Sequence, residues 1–151
     1  MSDHLPIDQQ ESDWVALGRI AVTCTWWRWM AGMLLFGFEE GQPDDWVRCQ
    51  DNLNGDTHER YAKELAGDPL VEWLPDFRDA ATLGWLLHLV RSAWGCDSIH
   101  VTPPARARGH KFSPDEWVVW LPQTYPTLNS VIGRGPTEAS ALVAALKARN
   151  N

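Results

Sequence analysis

The sequence predicts an α+β fold, a small antiparallel sheet packed with helices, in the order helix, strand, strand, helix across the C-terminal half. Three observations carry this. Leu83, Leu86, Leu87, Val90 and Trp94 fall at the i, i+3, i+4, i+7 and i+11 spacing of one helical face. Ser98 to Thr102 and Glu116 to Leu121 are β-branched and aromatic runs, separated by a stretch rich in Pro, Arg and Gly. Thr137 to Arg149 closes the chain as an Ala- and Leu-rich run, with Leu142, Ala145 and Leu146 on one stripe. A chain of 151 residues suits one domain, and the expected organisation is a polar tail over residues 1–12 and a single α+β domain over 13–151.

Taken in order, Asp13 is placed to cap a helix running to Cys24, with Val15, Ala16, Leu17, Ile20 and Ala21 as its apolar face. Leu34-Leu35-Phe36-Gly37-Phe38 is short and apolar enough for a buried strand, and Glu39 to Pro43 reads as a turn. Asp44 to Gly55 is poorly patterned, Thr57 to Ala66 reads as a polar surface helix ending at Gly67, and Asp68-Pro69 imposes extended backbone. Asp79 supplies an N-cap for the main helix and Gly95 stands where a left-handed terminator is wanted. In Glu116 to Leu121, Trp117, Val119 and Leu121 alternate with Val118 and Trp120, so both faces of that strand are apolar and one face needs a cover other than water. A second copy of the chain is one such cover, which makes a homodimer an expectation. Gly133-Arg134-Gly135 reads as a tight turn leading through Pro136, as first helical residue, and Thr137, as cap, into the last helix.

Composition narrows the function. The net charge of −7 disfavours general binding to duplex nucleic acid or to anionic membrane. Trp29 to Phe38, the longest strongly apolar stretch, is too short to span a bilayer, and the first thirteen residues lack the basic-then-apolar order of a signal peptide. Cys24, Cys49 and Cys96 are odd in number and widely spaced, as expected of reduced thiols in a cytoplasmic protein. Charge is polarised along the chain: residues 1–90 carry six Lys and Arg against sixteen Asp and Glu, residues 91–151 seven against four. An anionic ligand should therefore favour the second half.

The ten tryptophans are the anomaly. Trp26-Trp27-Arg28-Trp29 combines indole faces, which stack on flat rings, with a guanidinium that pairs with phosphate. Trp and Met here equally suit a plug for a small core, a role that does not call for Arg28. Arg106, Arg108, His110 and Lys111 form the strongest basic cluster, on a connection between strands that can close over an anion. Arg134, between two glycines, and Thr137 at a helix N-terminus make a second, weaker anion candidate. His4, His58, His88, His100 and His110 are scattered, no Cys-x-x-Cys occurs, and no nucleophile elbow or Cys/His signature is present. No cofactor or metal is implied, no catalytic residue is assigned, and an enzyme is the least supported class.

Three segments resemble a family of small, mostly uncharacterised proteins encoded by bacteriophages and prophages. Trp27-Arg28-Trp29-Met30-Ala31-Gly32-Met33 resembles its WRWMPGM segment. Leu74-Pro75-Asp76-Phe77-Arg78-Asp79-Ala80-Ala81-Thr82-Leu83-Gly84, continuing through Leu86-Leu87 and Leu89-Val90-Arg91 to Trp94-Gly95, is similar to LPDLxDPATLG followed by a helix, and Gly135-Pro136-Thr137-Glu138-Ala139 with Ala141 to Leu146 is like its closing helix. Ala31 and Ala80 stand where the family has prolines. The resemblance implies a phage origin and action in the cytoplasm of a bacterial host, and implies no reaction.

Together these features point first to a counter-defence binding protein that sequesters an anionic, aromatic small molecule such as a nucleotide immune signal. Trp26, Trp27, Trp29 or Trp120 would stack the base, and Arg28, Arg106, Arg108 and Arg134 would hold phosphates. The first alternative is an inhibitor of a host defence or nucleic-acid-processing protein, docking through the acidic residues of the first half (Glu39 to Asp45, Asp51, Asp56, Glu59, Glu64). The second is a structural or accessory phage protein.

Overall fold

A computed structural model describes residues 7–39, 42–49, 72–104, 116–122 and 130–150. The fold is α+β, with two three-stranded antiparallel sheets. The chain forms two compact units. One comprises residues 1–23 and 27–85, the other residues 24–26 and 86–151.

In the N-terminal unit, helix α1 (Ile7–Thr23) is followed by strands β1 (Leu34–Glu39), β2 (Gln42–Arg48) and β3 (Glu72–Pro75), in the sheet order β2-β1-β3. Phe36 of β1 lies opposite both Trp46 of β2 and Leu74 of β3, so these three side chains form one row on one face. Val15 joins Phe36 and Leu74 in the core, and Trp14 tilts onto Phe36 at 4.3 Å between ring centroids. The helix starts at Ile7, six residues before the expected cap, so Asp13 is an exposed residue within it. Residues of the expected tail thus belong to α1, consistent with the adequate helix propensity of Gln and Glu. The expected turn over Glu39 to Pro43 is also shorter than anticipated. Gln42 and Pro43 pair with Glu39 and Phe38, and the register shift between Gly37 and Phe38 accommodates the proline on an edge strand, where its missing N–H costs little. The surface helix expected over Thr57 to Ala66 and the extended Asp68-Pro69 lie outside the described residues.

Helix α2 (Ala80–Trp94) has the boundaries the sequence implied. The Asp79 carboxylate accepts from the Thr82 N–H at 3.0 Å, the geometry of an N-cap. At the other end Gly95 takes φ 62°, its N–H donates to the Ser92 carbonyl and that of Cys96 to the Arg91 carbonyl, which is a Schellman closure.

In the C-terminal unit, β4 (His100–Thr102), β5 (Trp117–Leu121) and β6 (Ser130–Gly135) form a sheet in the order β4-β5-β6, and α3 (Glu138–Ala148) follows. The sequence supplied the first two strands. Gly133-Arg134-Gly135 is the end of a third strand rather than a turn, for a reason visible in the packing. A Cβ on Gly133 would lie 2.8 Å from the Ala145 nitrogen and 2.9 Å from the Ala145 Cβ, and one on Gly135 2.8 Å from the Ser140 Cβ and 2.9 Å from the Ala141 nitrogen. The glycines let α3 approach the strand, a spacing no side chain would fit. Pro136 consequently precedes the cap instead of opening the helix. Thr137 is the N-cap, and Thr137 and Ser140 each accept from the other's backbone N–H, closing a capping box.

Candidate functional site

The four residues of the Trp-Trp-Arg-Trp segment are divided between the two units. Trp26 belongs to the C-terminal unit and is 39% exposed, close to the point where the Thr25 N–H donates to the Asn150 Oδ1 at 3.0 Å. Trp27, only 7% exposed, sits in the core of the N-terminal unit, set edge-on to Trp29 at 5.2 Å and to Phe77 at 6.0 Å. Its indole N–H has no hydrogen-bond acceptor among the described residues. Arg28 is exposed, and one Nη donates to the Trp27 carbonyl at 2.7 Å; Trp29 is half-buried.

The rest of this segment is held by the first turns of α2 and the residues just before it. The Trp85 indole donates to the Ala31 carbonyl at 2.7 Å, and the Leu34 N–H donates to the Thr82 hydroxyl at 2.7 Å. The Asp76 N–H donates to the Leu34 carbonyl at 2.8 Å. Gly32 turns the chain at φ 87°, and Arg48 reaches its carbonyl at 2.6 Å. Thr82 is fully buried and relays the contact onward, its hydroxyl donating to Asp79 at 2.9 Å. Packing therefore accounts for much of what makes these two segments distinctive.

Both aspartates near this clamp are committed to structure. Arg48 forms a two-pronged ion pair with Asp79 at 2.9 and 3.2 Å, which brings the Asp79 carboxyl down from the ordinary 3.8 to about 2. Asp76, 4% exposed, accepts from the backbone N–H, Nε and Nη2 of Arg78 and from the Trp46 indole. Asp79 is thus not poised for proton transfer near neutrality. Burial pushes the Cys24 and Cys49 thiols up, away from the thiolate a nucleophile needs. Among the described residues no three His, Cys, Asp or Glu side chains cluster as a metal site would require, and no helix is long and apolar enough to cross a membrane.

The C-terminal sheet gathers several candidates. Since α3 takes the face of Gly133 and Gly135, it also takes that of their partners Val119 and Trp117. The opposite face carries two rows: Thr102, Val118 and Arg134, then His100, Trp120 and Val131. Trp120 and Arg134 therefore lie in successive rows of the face turned away from α3, with the register shift at Val119/Trp120 between them. Arg134 and His100 are exposed, Trp120 is half-buried, and the Trp120 indole donates to the Thr102 hydroxyl at 2.9 Å. That bond fixes the ring's orientation. His100, unremarkable among scattered histidines, gains its place only through register. Thr137 lies next to this sheet in sequence, but its hydroxyl is occupied by the capping box. Arg106, Arg108, His110 and Lys111 fall in the β4–β5 connection and lie outside the described residues, as do Asp51, Asp56, Glu59 and Glu64 of the acidic set.

No family model, curated protein or solved structure matches the chain.

Proposed function

We propose that the protein is a binding protein that captures an anionic, aromatic small molecule of the nucleotide class on the face of the C-terminal sheet turned away from α3. The observation that carries this is the register that puts Trp120 and Arg134 in successive rows of that face, with His100 across from Trp120. The indole offers a surface on which a base stacks, and the exposed guanidinium offers a planar pair of donors to a phosphate. The net positive charge of residues 91–151 in an otherwise acidic chain favours an anion at this unit. Arg106, Arg108, His110 and Lys111, on the connection between two strands of the same sheet, add to that field. Capture alone suffices for function, since a tight complex lowers the free ligand without any turnover. The phage-like segments support a setting in which the ligand is a nucleotide signal of host defence and the protein acts as a counter-defence sponge.

The test is native mass spectrometry of the protein purified from a bacterial host, then after mixing with linear and cyclic nucleotides. A discrete non-covalent adduct of unaltered nucleotide mass is expected. Absence of any adduct across the panel, with a host protein retained instead, would overturn the reading in favour of protein docking, and steady conversion of the nucleotide would overturn it in favour of an enzyme.

A further inference from the structure

The N-terminal unit holds a second pairing of indole and guanidinium, built from residues that no part of the proposed function uses. Trp46 is 45% exposed, yet its ring is not free to swing: the indole N–H donates to Asp76 Oδ2 at 3.2 Å. The same oxygen accepts from Arg78 Nη2 at 2.9 Å, so the indole and the guanidinium stand next to one another over one buried carboxylate. Arg78 is fixed from three sides. Its Nε donates to Asp76 Oδ1 at 2.9 Å, its backbone N–H donates to that oxygen at 3.0 Å, and its Cζ lies 3.7 Å above the Trp14 ring. Trp14 rests in turn on Phe36 in the core. One flat face of the guanidinium is thus covered, while the side chain remains 51% exposed.

We propose that Trp46 and Arg78 form a stacking site for an uncharged planar heteroaromatic ring, of which a nucleobase is the representative. The order already present is the first reason. Ligand stacking normally requires long side chains to be immobilised, and here the buried Asp76 has done so beforehand. Charge is the second. Arg78 is neutralised by Asp76 and the neighbouring Arg48 by Asp79, so among the described residues neither cation here is in surplus to select phosphate. What it offers is the face of a delocalised cation beside the face of an indole. Size is the third. A protein interface needs roughly 800 Å² per partner around an apolar centre, whereas among the described residues this surface presents one indole and one guanidinium, bordered by the Arg48–Asp79 pair.

The experiment uses adenosine and guanosine, which carry no phosphate, added to the full-length ¹⁵N-labelled protein. The indole Nε1–H and arginine Nε–H resonances are followed, with Trp46 assigned by the loss of its peak in Trp46→Phe. Saturable shifts at Trp46 and Arg78 are expected, with the Trp120 indole unmoved. Trp46→Ala should weaken the nucleoside about tenfold or more, in keeping with the measured worth of one stacked base, and Trp46→Phe should retain most of the affinity. Two results would overturn the proposal: no shift at Trp46 up to the solubility of the nucleoside, or full binding by a folded Trp46→Ala. Because the probe is uncharged and the residues are different, a nucleotide bound at Trp120 with no nucleoside at Trp46 would sink this site and leave the proposed function standing.

Discussion

The two units solve the problem of a small core in different ways. In the N-terminal unit, loops and sheet are tied by polar side chains: Arg48 to Asp79, Arg78 and Trp46 to Asp76, Thr82 between Leu34 and Asp79, and Arg19 to Glu72. In the C-terminal unit, helix α3 is brought to the sheet by the lack of side chains, with Gly133 and Gly135 meeting Ala141, Ala145 and Ser140. Groups that could do chemistry are spent on structure in the first unit. In the second, α3 packs on one face of the sheet, and Trp120, His100 and Arg134 lie on the other beside the buried Val118. This contrast is why the proposed capture site is assigned to the C-terminal unit, although the most unusual run of sequence lies in the N-terminal one.

The sharpest break of this contrast is in the C-terminal core. Leu142→Ala removes a fully buried side chain of α3 and should cost about 2–5 kcal/mol, read as a lowered midpoint in urea unfolding. Gly133→Ala should cost about 1–3 kcal/mol through overpacking against the α3 backbone, a larger loss than a surface glycine in a strand would give. A Gly133→Ala protein as stable as the wild type would show that α3 is not held by close approach.

The N-terminal unit should answer to charge instead. Asp79→Ala removes the cap of α2 and the partner of Arg48, and the cap alone should account for about 0.5–2 kcal/mol. Because the Asp79 carboxyl is lower in the folded chain than its ordinary 3.8, its contribution is present in full above that pH and is lost as the pH falls toward about 2. Acid titration of stability should therefore be shallower in Arg48→Met than in the wild type over this window. The smallest effect is expected at Gly95→Ala, about 1 kcal/mol from placing a Cβ at φ 62°.

The sequence was most informative where local chemistry and the fold agree. The main helix was readable at both ends because Asp79 and Gly95 act on their own neighbours, and Thr137 likewise. The apolar run of β1 and the alternation in β5 were readable for the same reason. Strand β2 was hidden because Pro43, Asp44 and Asp45 oppose strand propensity and are carried by pairing with β1. Strand β6 was hidden because its glycines look like a turn until α3 is placed on them. At the candidate site, Trp120 and Arg134 could be singled out by residue type, but their placement on one face depends on strand register, which is a tertiary property. Trp14, Trp46 and Arg78 were passed over because nothing in their spacing announces that Asp76 joins two of them and that the third lies under the guanidinium.

The central claim is that the sheet face carrying Trp120 and Arg134 captures a nucleotide. Titration calorimetry of wild type, Trp120→Ala and Arg134→Ala with the nucleotide found by mass spectrometry, at two salt concentrations, tests it most directly. The account predicts stoichiometric binding by the wild type and loss of about tenfold or more in each folded variant. It also predicts salt-sensitive binding in the wild type that is less so in Arg134→Ala. Unchanged affinity in both variants would contradict it.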